Sequence, residues 1–554
     1  MTDTKKRLGV ALLWHMHQPF YKDGPGGKYM MPWARLHGVK DYFPMALLVE
    51  NSDGVKATFN LVPSLVEQIN DYVDNDASDA FLDLTLKKAA SLETSDRIEI
   101  LNNFFKVNFH RFIEPNARYS ELLIKKGVRP VSGKALKGVL NSFSKQDFLD
   151  LQVLFNLSWF HSLSVDDDIN LKDLIEKKRS YTEEDKEYVI FKQKEILSQI
   201  LPLYKKLQDD GRIEITTTPY FHPILPLLCN TSIARVSSPG MELPKKFAHP
   251  EDAAWQIEEA IKYHTAQFGQ PPRGMWPSEG SVSDEALDIM ISKGIDWVAT
   301  DEDILFNSLS LYDEKNKGAA SFDRRMIYRP YNFKRDSRHI TMVFRDKNLS
   351  DIISFNYNSW DQREAAWDLI GHLNRVEESL RRDTDRGLIT IAMDGENAWE
   401  YFEDNGRTFL ETLYSNIDKQ SDIGTTAISD FLELEPARKS ISKIFPGSWI
   451  NHNFEIWIGT EQDNLSWEYL AMVRKDLIKF TKEFHKNPKP GGSKVKEAWK
   501  ELYIAEGSDW NWWYAGKAHS GRDNPFDKLY LAHLKNVYKL LKKPVPGFLK
   551  ISIA

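Results

Sequence analysis

The chain has 554 residues, with 80 acidic against 73 basic side chains, a formal charge of −7, 42% hydrophobic residues and a single cysteine. The apolar content excludes a disordered chain, the near-balanced charge removes the electrostatic case for a nucleic-acid partner, and Cys229 on its own forbids an intrachain disulfide. A length of about three to four average domains predicts two or three units, because barrel enzymes run long.

From the N-terminus, Lys5, Lys6 and Arg7 precede the apolar run Leu8–Trp14 and imitate a signal peptide. His15, Met16 and His17 break that run too early, and no small-residue cleavage site follows. No other stretch approaches the roughly 18–20 apolar residues of a membrane span. A soluble, cytoplasmic protein is the expectation.

Seven short β-like runs then recur, at Leu8–Trp14, Ala57–Leu61, Arg212–Thr218, Gly274–Trp276, Ile295–Thr300, Thr341–Phe344 and Leu388–Met393. Helical patterns separate most of them. Between residues 249 and 301, Pro250 opens a helix that Gly269 ends; a strand to Trp276, a helix Ser283–Lys293 stopped by Gly294, and a strand to Thr300 complete a βαβ unit. Repeats of this kind predict a parallel α/β sheet, closed as a barrel or open and doubly wound. No Gly-x-Gly-x-x-Gly follows the first strand, which counts against a dinucleotide fold.

Residues 75–205 read as a helical insertion within the strand series. After residue 405 the pattern is helical again, with helices expected at Ser466–His485 and Pro525–Leu541 and a loop at Asn487–Ser493. The expected domains are a barrel over residues 1–405 and a helical C-terminal domain over 406–554.

In a parallel barrel the site sits at the carboxyl ends of the strands. Those ends deliver His15, His17, Gln18 and Pro19; Tyr220, Phe221 and His222; Ser278 and Glu279; Asp301; Arg345 and Asp346; and Asp394, Glu396 and Asn397. Two chemistries compete for this rim. His15 and His17 share a strand face and, with His222 or Asp301, have the donor types for a divalent ion; the bland alternative is hydrogen-bonded polar residues near a core. The second chemistry is a carboxylate pair. Glu279 and Asp394 each follow an apolar strand and adjoin a glycine and a tryptophan, and cleavage of a glycosidic bond with retention needs two carboxyl groups roughly 5–5.5 Å apart. Taken singly, each also reads as a helix-start or turn residue.

The motifs resemble glycoside hydrolase family 57, of the α-amylase and amylopullulanase type. His15-Met16-His17-Gln18-Pro19, Tyr220-Phe221-His222-Pro223-Ile224-Leu225-Pro226, Trp276-Pro277-Ser278-Glu279 and Asp394-Gly395-Glu396-Asn397-Ala398-Trp399-Glu400 are similar to four family motifs in order. Gly447–Gly459 and Ser508-Asp509-Trp510 resemble the family's C-terminal region. The resemblance implies a (β/α)7 incomplete barrel with a helical C-terminal domain, Glu279 as nucleophile, Asp394 as acid/base, and neither metal nor cofactor. It implies that His15, His17, Gln18 and His222 bind sugar hydroxyls, and that Asp301, Arg345, Glu396 and His452 join them. Trp276, Trp399, Trp449, Trp457 and Trp510 are the expected stacking subsites, Trp510 foremost of the distal set, with Trp512 and Trp513 expected to pack the helical domain. The cleft is expected to lower one carboxyl's proton affinity and raise the other's, with Arg345 or a protonated histidine favouring the Glu279 anion.

The expected activity is retaining hydrolysis of α-1,4-glucans such as starch, glycogen and maltooligosaccharides, with cleavage of α-1,6 bonds left open. The alternatives are a 4-α-glucanotransferase on the same scaffold, a metal-dependent hydrolase or deacetylase built on the His-x-His pair, and a carbohydrate-binding protein without catalysis. Neither nucleic acid nor membrane is an expected partner.

Overall fold

The computed structural model describes residues 6–127, 136–311, 322–383, 385–396, 398–486, 492–515 and 524–553. Asn397 and most of the predicted loop Asn487–Ser493 therefore lie outside the described residues. Among the described residues ten strands form one sheet: β1 (Leu8–Met16), β2 (Ala57–Leu61), β3 (Ile213–Thr216), β4 (Gly274–Met275), β5 (Trp297–Asp301), β6 (Tyr331–Arg335), β7 (Arg338–Arg345), β8 (Gly387–Asp394), β9 (Ile423–Thr425) and β10 (Lys439–Ile441).

Seven of these, each overlapping one predicted run, form a parallel barrel. β8, β1, β2 and β3 make one arc, in which β1 runs alongside β8 from Leu8–Gly387 to His15–Asp394 and alongside β2 from Leu13–Thr58 to Met16–Leu61. β4, β5 and β7 make the other, with β5 and β7 paired from Trp297–Thr341 to Asp301–Arg345. The arcs meet at two thin seams: the single pair Arg345–Thr390 between β7 and β8, and the single bridge Thr217–Met275 beyond β3.

Three strands were not foreseen. β6 forms an antiparallel hairpin with β7, β10 pairs with β6, and β9 pairs with β1. β9 and β10 correct the expectation of helix alone past residue 405; three residues are too few to show a period-two pattern.

Side-chain alternation explains how the barrel fills. Leu8, Val10, Leu12, Trp14 and Met16 pack into the main core, whereas Ala11 and Leu13 join Trp276, Trp297, Ala299, Val343, Leu388 and Ala392 in a separate buried cluster, plugged by Ile428 and Phe431. That second set is the lumen. Alanines on three strands leave room for two indoles, so the lumen is packed rather than open.

The connecting elements follow local rules. The helix Pro250–Phe268 begins at its proline and ends at Gly269, which takes φ 80°, and Ser283 caps the helix Asp284–Ser292 by accepting from the Ala286 N–H. Between β2 and β3 the described residues are mainly helical, closing with the long helix Glu183–Asp209. The C-terminal helices Glu461–Lys486, Gly492–Ala505, Asp509–Ala515 and Pro525–Leu540 reach the strand ends, where bridges Pro223–Gly507 and Val282–Gly447 tie later chain to the loops after β3 and β4.

Candidate functional site

The period of two that fills the lumen also builds the site. Continuing each inward row by two residues takes Leu13 to His15, Ala299 to Asp301, Val343 to Arg345 and Ala392 to Asp394, so an apolar floor gives way to polar ends at one level. Above it opens a cavity of about 2100 Å³, roughly twice the upper size of an ordinary small-ligand pocket. Glu279 and Asp394 both line it, with His15, His17, Gln18, His222, Arg345, Glu396 and Trp449.

Glu279 sits in a short turn at φ 57° and ψ 27°, a left-handed conformation that is uncommon outside glycine; His222 adopts φ 57° as well. The turn is held from both sides. The Trp449 indole N–H donates to Glu279 Oε2 at 2.9 Å, the Trp449 backbone N–H donates to Glu279 O at 3.0 Å, and Thr300 Oγ1 donates to Gly280 O at 2.7 Å.

Three histidines line up beside it. His17 lies flat on His222 with centroids 3.9 Å apart, His15 is 5.2 Å from His222, and His222 Nδ1 is 3.9 Å from Glu279 Oε1. Each ring has a different partner: His15 Nδ1 meets Asn60 Oδ1 at 2.7 Å, His17 Nε2 meets Asp509 Oδ1 at 2.8 Å, and His222 Nδ1 meets Ser508 Oγ at 2.9 Å. Gln18 accepts from the Tyr21 hydroxyl at 2.8 Å and donates to Glu396 Oε1 at 3.4 Å.

The electrostatics differ from the expected lowering of Glu279. Burial pushes its carboxyl up to about 7; the Trp449 hydrogen bond and the His17 charge oppose this, while Asp394 and Asp509 add to it. Burial and the neighbouring His17 hold His15 down at about 3, and His222 is held well below the ordinary histidine range for the same reasons with His15 adding. Burial also acts against a charged His17, but Asp509, then Glu279 and Asp394, outweigh it and raise this ring above its ordinary value. Glu396 is raised well above the carboxylate range by burial, then by Asp394 and Asp41.

Several expected subsite residues fall elsewhere. Trp276 is fully buried in the lumen, edge-on to Trp449 at 5.2 Å, and forms part of the floor. Trp399, Trp457 and Trp510 are each 1% exposed: Trp399 packs edge-on to Trp14, the Trp457 carbonyl accepts from the Trp467 indole, and Trp510 donates to Ile504 O beneath Tyr530 and His533. None of the four lines the cavity. Asp301 is buried below the cavity, 3.3 Å from Arg345 and pushed up to about 6 by burial, and His452 lies outside it, 3.7 Å from Asp303. Arg345 is not the partner of Glu279: it donates to Ala392 O at 2.7 Å, pairs with Asp301 and Asp351, and lies over the Trp449 ring.

Within Asp509–Ala515, Trp510 and Trp512 exchange the roles expected of them, whereas Trp513 packs against the main core as expected while also reaching the cavity. Asp509, Trp512 and Trp513 face the cavity, Trp512 being 42% exposed and Trp513 stacked on Phe526, while Trp510 and Tyr514 turn inward. Spacings of three and four residues put 509, 512 and 513 on one helix face and 510 and 514 on another; that helical period was the signal available. Tyr401 and Phe355, 55% and 74% exposed, add aromatic surface at the cavity edge.

Among the described residues, His17, His222 and Asp509 bring potential ligand atoms within 4.8 Å of one another. The lone pair with which an imidazole nitrogen binds a metal lies in the ring plane, and rings stacked 16° from parallel direct theirs side by side instead of at one ion.

Comparison with known proteins gives the following. Residues 11–443 match the family model described as Glycosyl hydrolase family 57. Over 96% of its length the chain is similar in structure to the GH57-type branching enzyme of Pyrococcus horikoshii, at 15% identity, 89% coverage of that chain and a TM-score of 0.62. The GH57 branching enzyme of Thermococcus kodakaraensis matches over 96% of this chain and 90% of its own, at 15% identity and a TM-score of 0.61. The alpha-amylase AmyC of Thermotoga maritima matches over 97% and 93%, at 14% identity and a TM-score of 0.58. No curated protein matches the sequence.

Proposed function

The chain belongs to glycosyl hydrolase family 57, and from that premise we propose that it is a retaining enzyme acting on α-1,4-glucans, with Glu279 as nucleophile and Asp394 as general acid/base. The observation that carries this reading is that both carboxyl groups line one cavity, at strand ends belonging to opposite arcs of the barrel, where the Asp394 charge acts on Glu279. In the first step Glu279 attacks the anomeric carbon while Asp394 protonates the departing oxygen. In the second, Asp394 takes a proton from an incoming hydroxyl, which displaces Glu279. His15, His17, Gln18, His222, Arg345 and Glu396 supply polar contacts for sugar hydroxyls, and Trp449, Trp512, Trp513 and Tyr401 supply stacking faces. We draw the boundary between barrel and helical region after residue 443, since β9 and β10 belong to the sheet and the family match ends there.

Whether water or a sugar hydroxyl completes the second step decides between hydrolysis and transfer. Hydrolysis is the first reading. Transfer is the second, favoured by the aromatic wall of Trp512, Trp513 and Tyr401, which offers an acceptor chain a surface, and in keeping with similar structures described as branching enzymes and as a 4-alpha-glucanotransferase. Incubation with maltooligosaccharides, amylose and pullulan separates them. Rising reducing ends mark hydrolysis, and longer or branched products at constant reducing ends mark transfer. Turnover by Glu279→Gln equal to that of the parent would refute the assignment itself.

A further inference from the structure

Ser508 and Asp509, where the helix Asp509–Ala515 begins, hold both stacked histidines. Asp509 Oδ1 is 2.8 Å from His17 Nε2, Ser508 Oγ is 2.9 Å from His222 Nδ1, and the Ser508 N–H donates to His222 O at 3.0 Å. His15 and His222 are buried and held neutral, so the cluster's positive charge rests on His17. The titratable groups that face His17 are Asp509 from this helix, Glu279 beyond β4, Asp394 at the end of β8, His222 beyond β3 and His15 on its own strand. Glu279 in turn is faced by Asp394, His17, Asp509 and His222.

We propose that Asp509 is a positioning residue for the reaction: through its bond to His17 it fixes the orientation and positive charge of that ring, and thereby keeps Glu279 in the anionic form that attacks the sugar. The inference rests on the reading of Glu279 as nucleophile. His17 lies flat on His222, whose Nδ1 is 3.9 Å from Glu279 Oε1, so the ring that Asp509 holds adjoins the nucleophile, and His17 favours the Glu279 anion more than Asp509 opposes it. A sugar contact made by Asp509 alone would act without His17, which makes the two accounts separable.

The test is kcat/KM against pH on an aryl maltooligoside for the parent enzyme, Asp509→Asn, His17→Gln and the double variant. Each single change lowers kcat/KM at neutral pH by about ten-fold or more and moves the acid limb upward, while Asp509→Asn added to His17→Gln costs less than about two-fold more. Multiplying losses in the double variant, or an acid limb that stays in place in Asp509→Asn, overturns the proposal. Asp509→Glu retains the charge and returns the limb towards its parental position; a limb displaced as far as that of Asp509→Asn also counts against it. Glu279→Gly tests the underlying reading separately, since azide replaces the missing carboxylate and leaves as a glycosyl azide. No azide adduct removes the nucleophile assignment, whereas an adduct together with multiplying losses removes only the role of Asp509.

Discussion

Trp449, 170 positions beyond Glu279, donates its indole N–H to Glu279 Oε2 at 2.9 Å. This bond favours the charged carboxylate in a place where burial disfavours it. Trp449→Phe keeps the ring and deletes the donor. A hydrogen bond to a charged group contributes about 1.5–3 kcal/mol, so the acid limb of kcat/KM is expected to rise by about one pH unit or more, with activity at neutral pH falling about ten-fold. A pH–rate profile unchanged by the substitution would contradict this.

The Glu279 value of about 7 also bears on stability. A carboxyl whose folded-state value lies above its unfolded one binds its proton more tightly when folded, so its favourable contribution is present below the unfolded value and is lost as pH rises through the folded one. Glu279→Gln, which cannot ionise, is therefore expected to be more stable than the parent at pH 8, by roughly 2–3 kcal/mol, with the gap closing as pH falls towards about 4. Denaturant melts of both proteins at the two pH values check it.

Two neighbouring tryptophans are expected to respond in opposite ways. Trp510 is 1% exposed and packed beneath Tyr530 and His533, so Trp510→Ala should cost about 3–5 kcal/mol of stability. Trp512 is 42% exposed at the cavity, so Trp512→Ala should leave the melting temperature nearly unchanged and raise KM for long maltooligosaccharides. Equal melting temperatures for the two variants would refute the placement.

Stacked His17 and His222 direct their lone pairs side by side. Activity is accordingly expected to survive exhaustive dialysis against a chelator, and metal analysis of active protein to show no stoichiometric zinc. Loss of activity on chelation, restored by zinc, would return the cluster to metal chemistry.

The barrel was legible because most of its strands belong to apolar runs that stop at a polar residue, as Leu8–Trp14 does at His15. Fully buried parallel strands leave that signature even when only four or five residues long. The same reading could rank Glu279 and Asp394 but not the tryptophans. Whether an indole faces the cavity or the core depends on which side of its helix meets the cavity, and the neighbours that decide this for Trp510 and Trp513 are Tyr530, His533 and Phe526, later in the chain. Asp509 was quoted within a motif yet given no role, because its partner His17 is 492 positions away. Nor can sequence show how far burial overrides charge at Glu279.

The two seams have a mechanical consequence. Glu279 travels with the β4–β5–β7 arc and Asp394 with β8–β1–β2–β3, and each join between the arcs is one residue pair wide. Each half carries its own contact from the C-terminal region, Trp449 on Glu279 in one and Asp509 on His17 in the other. On the proposed function, a glucan seated between the halves is expected to act as one more strut and to stiffen the barrel.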